Sequence, residues 1–120
     1  MGLDTSHDAW HGSYGSFNNF RRELAKAAGI TLNDMYGFKG TIQWDTLEPR
    51  PLLILLNHSD CDGDIPWVVC KDLADDITSL LDKLPDANDS EFYPWSKEKA
   101  EDFIKGCLLA YENKENIDFH

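Results

Sequence analysis

The sequence predicts an α+β domain, a two-layer sandwich of three amphipathic helices and three to four short strands. Three observations predict it. Apolar residues recur at helical spacing over 14–28, 66–84 and 96–113. Short stretches that alternate, or are continuously apolar, fall between and around them at 2–4, 41–44, 52–56 and 117–119. At 120 residues and 42% hydrophobic, the chain has the size of one ordinary domain. Such a domain buries roughly two-thirds of its unfolded surface, so folding needs neither disulfides nor a metal. No internal repeat or long linker divides residues 1–120, which are read as a single domain.

Residues 1–12 are polar and irregular, with a short strand expected at Gly2–Asp4. The first helix is expected from Tyr14 to Ala28, with Ser13 as its N-cap. Tyr14, Phe17, Phe20, Leu24 and Ala28 lie on one face of it, and Gly29 supplies the left-handed residue that ends it. Residues 30–40 read as loop. Thr41-Ile42-Gln43-Trp44 alternates and reads as a strand. Pro49 and Pro51 bracket a turn, and Leu52-Leu53-Ile54-Leu55-Leu56 follows. Leucine prefers helix, but the short run and the polar loop after it favour a buried central strand. The second helix is expected from Pro66 to Leu84, with a core stripe of Val69, Leu73, Ile77, Leu80, Leu81 and Leu84, and Pro85 stops it. After a loop over 86–95, the third helix runs from Ser96 to Asn113. Its inward face is expected to be Ala100, Phe103, Ile104, Cys107, Leu108 and Tyr111. Ile117 and Phe119 flank Asp118 in a short final strand.

The chain carries 11 basic and 22 acidic residues, a formal net charge of −11. That balance argues against a nucleic-acid backbone or an anionic membrane as partner, since both require clustered Lys and Arg. It serves solubility, or it offers an acidic surface to a basic partner. Met1-Gly2-Leu3-Asp4 has no basic start with an apolar run behind it, so no signal peptide is expected. Three cysteines without CxxC spacing suit a reducing, cytoplasmic compartment.

The unusual polar residues gather in two segments. The first, Asp4-Thr5-Ser6-His7-Asp8-Ala9-Trp10-His11-Gly12-Ser13-Tyr14-Gly15-Ser16, leads into the first helix. A helix start exposes unpaired N–H groups and the positive end of the dipole, which suits an anion. Asp4, Thr5, Trp10, Ser13, Tyr14 and Arg21 are the candidate ligand-binding residues, with Arg21 either reaching back toward an anion or pointing to solvent. His7 and His11, four apart, would share a helix face and could hold one metal ion, but Gly12 weakens helix there. The plainer alternative is a segment tied down by capping. Trp10 and Tyr14 are more often core residues than platforms for a base.

The second segment, Asn57-His58-Ser59-Asp60-Cys61-Asp62-Gly63-Asp64-Ile65, follows the leucine run. Asp60, Asp62 and Gly63 match inner positions of a calcium loop. His58 stands where the first Asp belongs and Val69 where a bidentate Glu belongs, so this is no normal EF-hand. Oxygen ligands from Asp60, Asp62 and Asp64 would still suit a divalent cation, and His58 with Cys61 would shift the preference to a transition metal. The alternative is a capping turn, with Asp62 or Asp64 at the start of the second helix and Gly63 making the bend. Carboxylates on both sides of Cys61 raise a thiol pKa and argue against a nucleophilic role. Cys70 and Cys107 fit buried helix positions and are expected to be inert.

The segments Gly2-Leu3-Asp4-Thr5-Ser6-His7-Asp8-Ala9-Trp10-His11-Gly12 and Leu56-Asn57-His58-Ser59-Asp60-Cys61-Asp62-Gly63 resemble a group of small uncharacterised proteins of bacteria and their phages. There a similar opening precedes a helix, a leucine-rich strand ends in a His-Ser-Asp-Cys-Asp-Gly turn, and an acidic-aromatic tail follows. Phe103-Ile104-Lys105-Gly106 and Ile117-Asp118-Phe119-His120 fit it too, so the resemblance covers nearly the whole chain. It implies a single domain and a bacterial or phage source, and brings no activity with it.

Two functional expectations follow. In the first, the segments meet in one pocket that binds a nucleotide-like or phosphorylated small molecule, to sequester or hydrolyse it. His7, His11, His58 and Asp60 would then exchange protons, and a divalent cation could join. In the second, the acidic faces of the second and third helices bind a host protein, in place of nucleic acid, and the histidines are structural.

Overall fold

Residues 2–36, 38, 40–58, 63–84 and 96–119 are described by a computed structural model. Strand β1 (Gly2–Asp4) pairs antiparallel with β2 (His11–Ser13), in register Gly2↔Ser13, Leu3↔Gly12 and Asp4↔His11. A 3-10 turn over Ser6–Asp8 lies inside this hairpin. Helix α1 (Tyr14–Ala27) follows β2 at once. Its Phe17, Phe20 and Leu24 are buried as the spacing predicts, and Ala28, just beyond it, packs partly against the core. Gly29 closes α1 at φ 80°, with Ile30 N donating to Ala25 O at 2.7 Å, so the expected glycine stop is present. The side chains of Ser13 and Tyr14 lie outside the described ones.

Thr41–Trp44 does not form a strand. Ile42 makes a single bridge to Met35 inside a loop closed by Tyr36 N→Ile42 O at 2.8 Å and Ile42 N→Asp34 O at 3.0 Å. Thr41, Ile42 and Gln43 are all exposed, so no buried face exists to hold them extended. Trp44 opens a 3-10 turn over Trp44–Thr46.

The leucine run is helix α2 (Leu52–Leu56), not the expected central strand. Pro51 already sits in the helical region (φ −56°, ψ −34°), and leucine favours that region. Leu52, Leu55 and Leu56 are buried while Ile54 is exposed, which is helical spacing. The Leu52 N–H left over at the helix start donates to Asp76 Oδ2 at 2.9 Å. The strand half of the sandwich is therefore small. Strand β3 (Asp64–Ile65) pairs antiparallel with β4 (Ile117–Asp118), the expected final strand, and a Thr5↔Phe119 bridge joins this ribbon to the N-terminal one. The α+β class stands, carried mostly by helices.

Helix α3 (Trp67–Leu80), extended by a 3-10 turn over Leu81–Lys83, and helix α4 (Ser96–Asn113) make the largest interface. Trp67 at the start of α3 meets Tyr111 near the end of α4, with ring centroids 5.7 Å apart, so the two run antiparallel. The α3 stripe holds, with Leu73, Ile77, Leu80 and Leu84 buried and Val69 and Leu81 partly so. The α4 face is rotated from the expected one. Ala100, Phe103, Cys107 and Ala110 are buried, while Leu108 and Tyr111 are 44% and 38% exposed. Cys70 and Cys107 are buried thiols facing each other across this interface, and their hydrogen bond together with burial pushes Cys107 far above the ordinary thiol range. Among the described residues no helix is long and apolar enough to cross a membrane.

An aromatic cluster closes the core. Trp10 stacks on Phe20 (5.1 Å, 23°) and meets Phe17 edge-on (5.3 Å, 65°), and Phe119 reaches Phe17 edge-on at 5.8 Å. Such pairs add about 0.5–1.5 kcal/mol each beyond the area they bury. The N-terminal and C-terminal segments are thus pinned to α1 by the same rings.

Candidate functional site

The Ser6–Asp8 turn is where the backbone departs most from ordinary geometry. His7 and Asp8 are both left-handed, at φ 62° and φ 53°, although neither is glycine. A residue held there costs about 1–2 kcal/mol, so surrounding contacts must hold it. Several do. Thr5 is 3% exposed; its N–H donates to Trp10 O at 3.0 Å, and its Oγ1 accepts the Trp10 N–H at 2.9 Å. Ala9, just after the turn, lies against Gly106 of α4, where an added Cβ would stand 2.5 Å from the Ala9 Cβ. The missing side chain at Gly106 lets the turn seat on the helix.

On that turn the side chains form a relay. The Ser6 hydroxyl lies 2.8 Å from His7 Nδ1, and His7 Nε2 lies 3.0 Å from Glu115 Oε1. A carboxylate only accepts, so the neutral ring carries its proton on Nε2 and takes the Ser6 O–H at Nδ1. Ser6 Oγ also accepts the Asp118 N–H at 2.9 Å. The His7 side chain is 11% exposed and that of Glu115 60%, so the imidazole is nearly enclosed and its carboxylate faces water.

Glu115 is placed by the end of α4. Lys114 is left-handed (φ 57°), and Glu115 N donates to Ala110 O at 3.0 Å, a helix stop that normally uses glycine. Asn116 follows and holds two elements together. Its Oδ1 accepts the Trp67 N–H at 2.9 Å, and its Nδ2 donates to Asp64 Oδ2 at 2.8 Å. The start of α3 is therefore capped by Asn116. Asp64, an expected cap, spends its carboxylate on Asn116 instead. Ser6, His7, Trp67, Lys114, Glu115, Asn116 and Asp118 line an open depression of about 720 Å³. That volume falls within the range of about 300–1,000 Å³ usual for small-molecule sites, though these walls are polar.

The other candidates distribute around this centre. His11 sits across the hairpin from Asp4 and is clamped by two carboxylates, Nδ1 to Asp4 Oδ1 at 2.8 Å and Nε2 to Asp8 Oδ1 at 3.0 Å. Those hydrogen bonds, Asp4's first and Asp8's second, raise its pKa above 6.5. His7 and His11 share no helix face, because a turn and a strand replace the helix that a two-histidine metal site needs. Trp10 is 1% exposed and turns its faces to Phe20 and to Lys99, whose Nζ lies 5.0 Å over the ring, so it offers no platform to a ligand. Arg21 is buried. It donates to the carbonyls of His58 and Leu56 and to Asn18 Oδ1, and its guanidinium lies over Phe17 and Phe38 at 4.8 and 4.9 Å. It ties α1 to the end of α2, so it does not reach back to an anion at the start of α1.

His58 stands on the far side of β4. Its Nε2 donates to Asp64 O at 2.9 Å, and its ring lies 4.2 Å from that of Phe119. Gly63, at φ 86°, makes the expected tight bend beneath it. Both polar segments thus border the C-terminal strand, but His7 lines the depression and His58 is not among its lining residues. Asp60, Cys61 and Asp62, on which the cation reading rests, lie outside the described residues, and Asp64, which is described, accepts the Asn116 amide. Among the described residues no three His, Cys, Asp or Glu side chains converge on a metal-sized space.

Sequence reasoning named His7 but not its partners. Ser6 lay inside the first polar segment without being singled out, and Trp67, Lys114, Glu115, Asn116 and Asp118 come from elsewhere in the chain. The only signal for Lys114, Glu115 and Asn116 is a polar run between the third helix and a two-residue strand, which reads as an ordinary connection. No family model, no curated protein and no solved structure matches the chain.

Proposed function

We propose that the chain is a small-molecule binding protein whose site is the depression between the Ser6–Asp8 turn and the Lys114–Asp118 segment. One observation carries this reading. The chain spends backbone strain at His7 and again at Lys114, and both line the same depression. Strain at two residues of one concave surface is the pattern of a site held ready for a ligand. Hydrogen-bonding groups of both signs line it, with Trp67 as an aromatic wall. Lys114 shares the lining with two carboxylates, Glu115 and Asp118, and Arg21 is committed elsewhere. A neutral or cationic polar molecule suits that balance better than a phosphorylated one.

The test is amide-resolved NMR titration with neutral, cationic and phosphorylated small molecules in turn. Shifts at Ser6, His7, Lys114, Glu115 and Asn116 are expected for a neutral or cationic compound. His7→Ala should abolish them, and His58→Ala should leave them intact. A panel that moves none of these amides, or moves only those around His58, sinks the reading.

A second reading keeps the acidic interaction protein. The observation that favours it is the exposure of Val68 (57%) on α3 and of Leu108, Leu109 and Tyr111 (44%, 45%, 38%) on α4. These helices also carry exposed acids such as Asp72, Asp75, Glu101 and Asp102. A host protein bound there through basic residues would be released as salt rises past a few tenths molar, where the Debye length falls to about 5 Å. Binding that is indifferent to salt counts against it.

A further inference from the structure

We propose that Ser6 is a nucleophile that accepts an acyl group from a small carboxylic ester, with His7 as its general base and Glu115 as a positioning residue. This rests on the reading of the depression as a ligand site and names its substrate class. The chemistry needs a hydroxyl, a base within hydrogen-bond reach, and a group that fixes the base's tautomer. Ser6 Oγ to His7 Nδ1 is 2.8 Å and His7 Nε2 to Glu115 Oε1 is 3.0 Å, so each group is within hydrogen-bond reach of the next. The division of roles is that of the Ser–His–acid hydrolases, with the two ring nitrogens exchanged. Either nitrogen can serve, since the carboxylate decides which one keeps the proton. The other acceptor near the Ser6 proton, Asn116 O, is 3.5 Å away, so the proton belongs to His7.

A purely structural Ser6 would need only the Asp118 N–H that it accepts at 2.9 Å. That bond also has a chemical consequence, because an N–H aimed at Oγ steadies the charge that develops as the proton leaves. The reaction closes in two halves. Ser6 Oγ bonds to the ester carbonyl carbon while its proton passes to His7 Nδ1. The carbon–oxygen bond to the alcohol then breaks, and the alcohol oxygen takes that proton. Water attacks the acyl-Ser6 carbonyl, gives a proton to Nδ1, and the carbon–Oγ bond breaks as Ser6 recovers it. The walls set the class of ester. Trp67 suits a flat or cationic group, and Glu115 with Asp118 disfavours an anionic one.

The test is p-nitrophenyl acetate, a neutral aryl ester, added to the full chain, with intact and peptide mass spectrometry beside the release of p-nitrophenolate. An acetyl group on Ser6 is expected. It should vanish in Ser6→Ala and form about 100-fold more slowly in His7→Gln. Ser6→Ala also removes the Asp118 contact, so Ser6→Cys, which keeps a nucleophile in place, should restore acylation. The charged groups around His7 in the depression are Lys114, Glu115 and Asp118. Glu115→Gln should lower kcat for the ester and leave its KM unchanged, because an amide fixes the His7 tautomer less firmly than a carboxylate; a merely structural Glu115 leaves kcat unmoved. Acetyl groups on lysines alone, or release unchanged in Ser6→Ala, overturn the inference. If Lys114 and Asn116 amides shift with the ester while Ser6 stays unmodified, the depression binds without reacting, and only the nucleophile falls. If neither shift nor acetyl group appears with this ester, the nucleophile falls, and the titration panel decides the fate of the binding reading.

Discussion

Asp76 of α3 grips Arg50, which precedes α2, through both of its carboxylate oxygens, with Arg50 Nε donating to Oδ2 at 2.9 Å. The same Oδ2 accepts the Leu52 N–H at 2.9 Å. One carboxylate therefore anchors the start of α2 and the turn before it. The Arg50 hydrogen bonds, opposed by partial burial and aided by the Leu52 amide, hold the Asp76 carboxyl below its ordinary range. The guanidinium is held correspondingly above its own.

Asp76→Asn is expected to cost about 2 kcal/mol at neutral pH, the scale of hydrogen bonds to a charged group in a mostly buried setting. The sign with pH follows from the depressed pKa. Asp76's contribution is complete above the carboxylate pKa of the unfolded chain and is lost as pH falls through the lower folded value. Urea unfolding of both proteins at neutral pH and at about pH 3 checks it, since the difference should shrink in acid. A difference that stays constant across that range rules out the ion pair as its source.

Gly106→Ala sets two effects against each other. Alanine gains about 1 kcal/mol of helix propensity inside α4. The new Cβ, however, would stand 2.5 Å from Ala9 Cβ and 2.6 Å from Ala9 Cα, and the second of these is backbone that cannot swing away. Overpacking of this kind costs about 1–3 kcal/mol, so a net loss is expected. Because Ala9 follows the Ser6–Asp8 turn, the Ser6 and His7 amide signals should move as well. A more stable variant with unmoved signals would mean that the turn is not seated on Gly106.

The three long helices were legible because their periods are long: Gly29 stops α1 where expected, and α4 spans Ser96–Asn113 as read. The leucine run was not, since five apolar residues carry too few periods to separate strand from helix. The helical backbone already begins at Pro51, and the Leu52 N–H it leaves over is taken by Asp76, a partner 24 residues away that no local pattern reveals. Arg21 misled for a related reason. On the first helix it reads as reaching back toward an anion or pointing to solvent, but the carbonyls freed at the end of α2 draw it into the core. The site was half legible. His7 stood out by residue type, whereas Glu115 and Asn116 reach it across more than a hundred residues, and Asp118 comes with them on β4.

Lys114→Gly removes a left-handed lysine from the position where α4 stops. Glycine meets no Cβ penalty there, so unfolding free energy should rise by about 1 kcal/mol. The same change deletes the one cation that lines the depression among the described residues. Thermal unfolding and ligand titration should therefore move in opposite directions, with a higher midpoint and a weaker or altered ligand preference. A variant that gains stability and keeps its ligand unchanged would show that Lys114 is strained for no purpose at this site.

His11 offers the most direct reading of charge. Its two ring nitrogens face Asp4 and Asp8, both acceptors, so only the doubly protonated ring satisfies both. A histidine whose folded pKa is raised contributes stability that is complete below its unfolded pKa and is lost as pH rises through the higher folded value. The side chains are well exposed, His11 at 53% and Asp8 at 96%, so water screens the clamp and the total effect should stay under about 0.5 kcal/mol. The titration itself is the sharper measurement. NMR of the ring protons should place His11 above 6.5, with Asp4→Asn lowering it more than Asp8→Asn, the order of the two hydrogen bonds. If His11 instead titrates at or below 6.5, the two aspartates do not hold it, and the hairpin loses its cross-strand ion pair as a reason for closing.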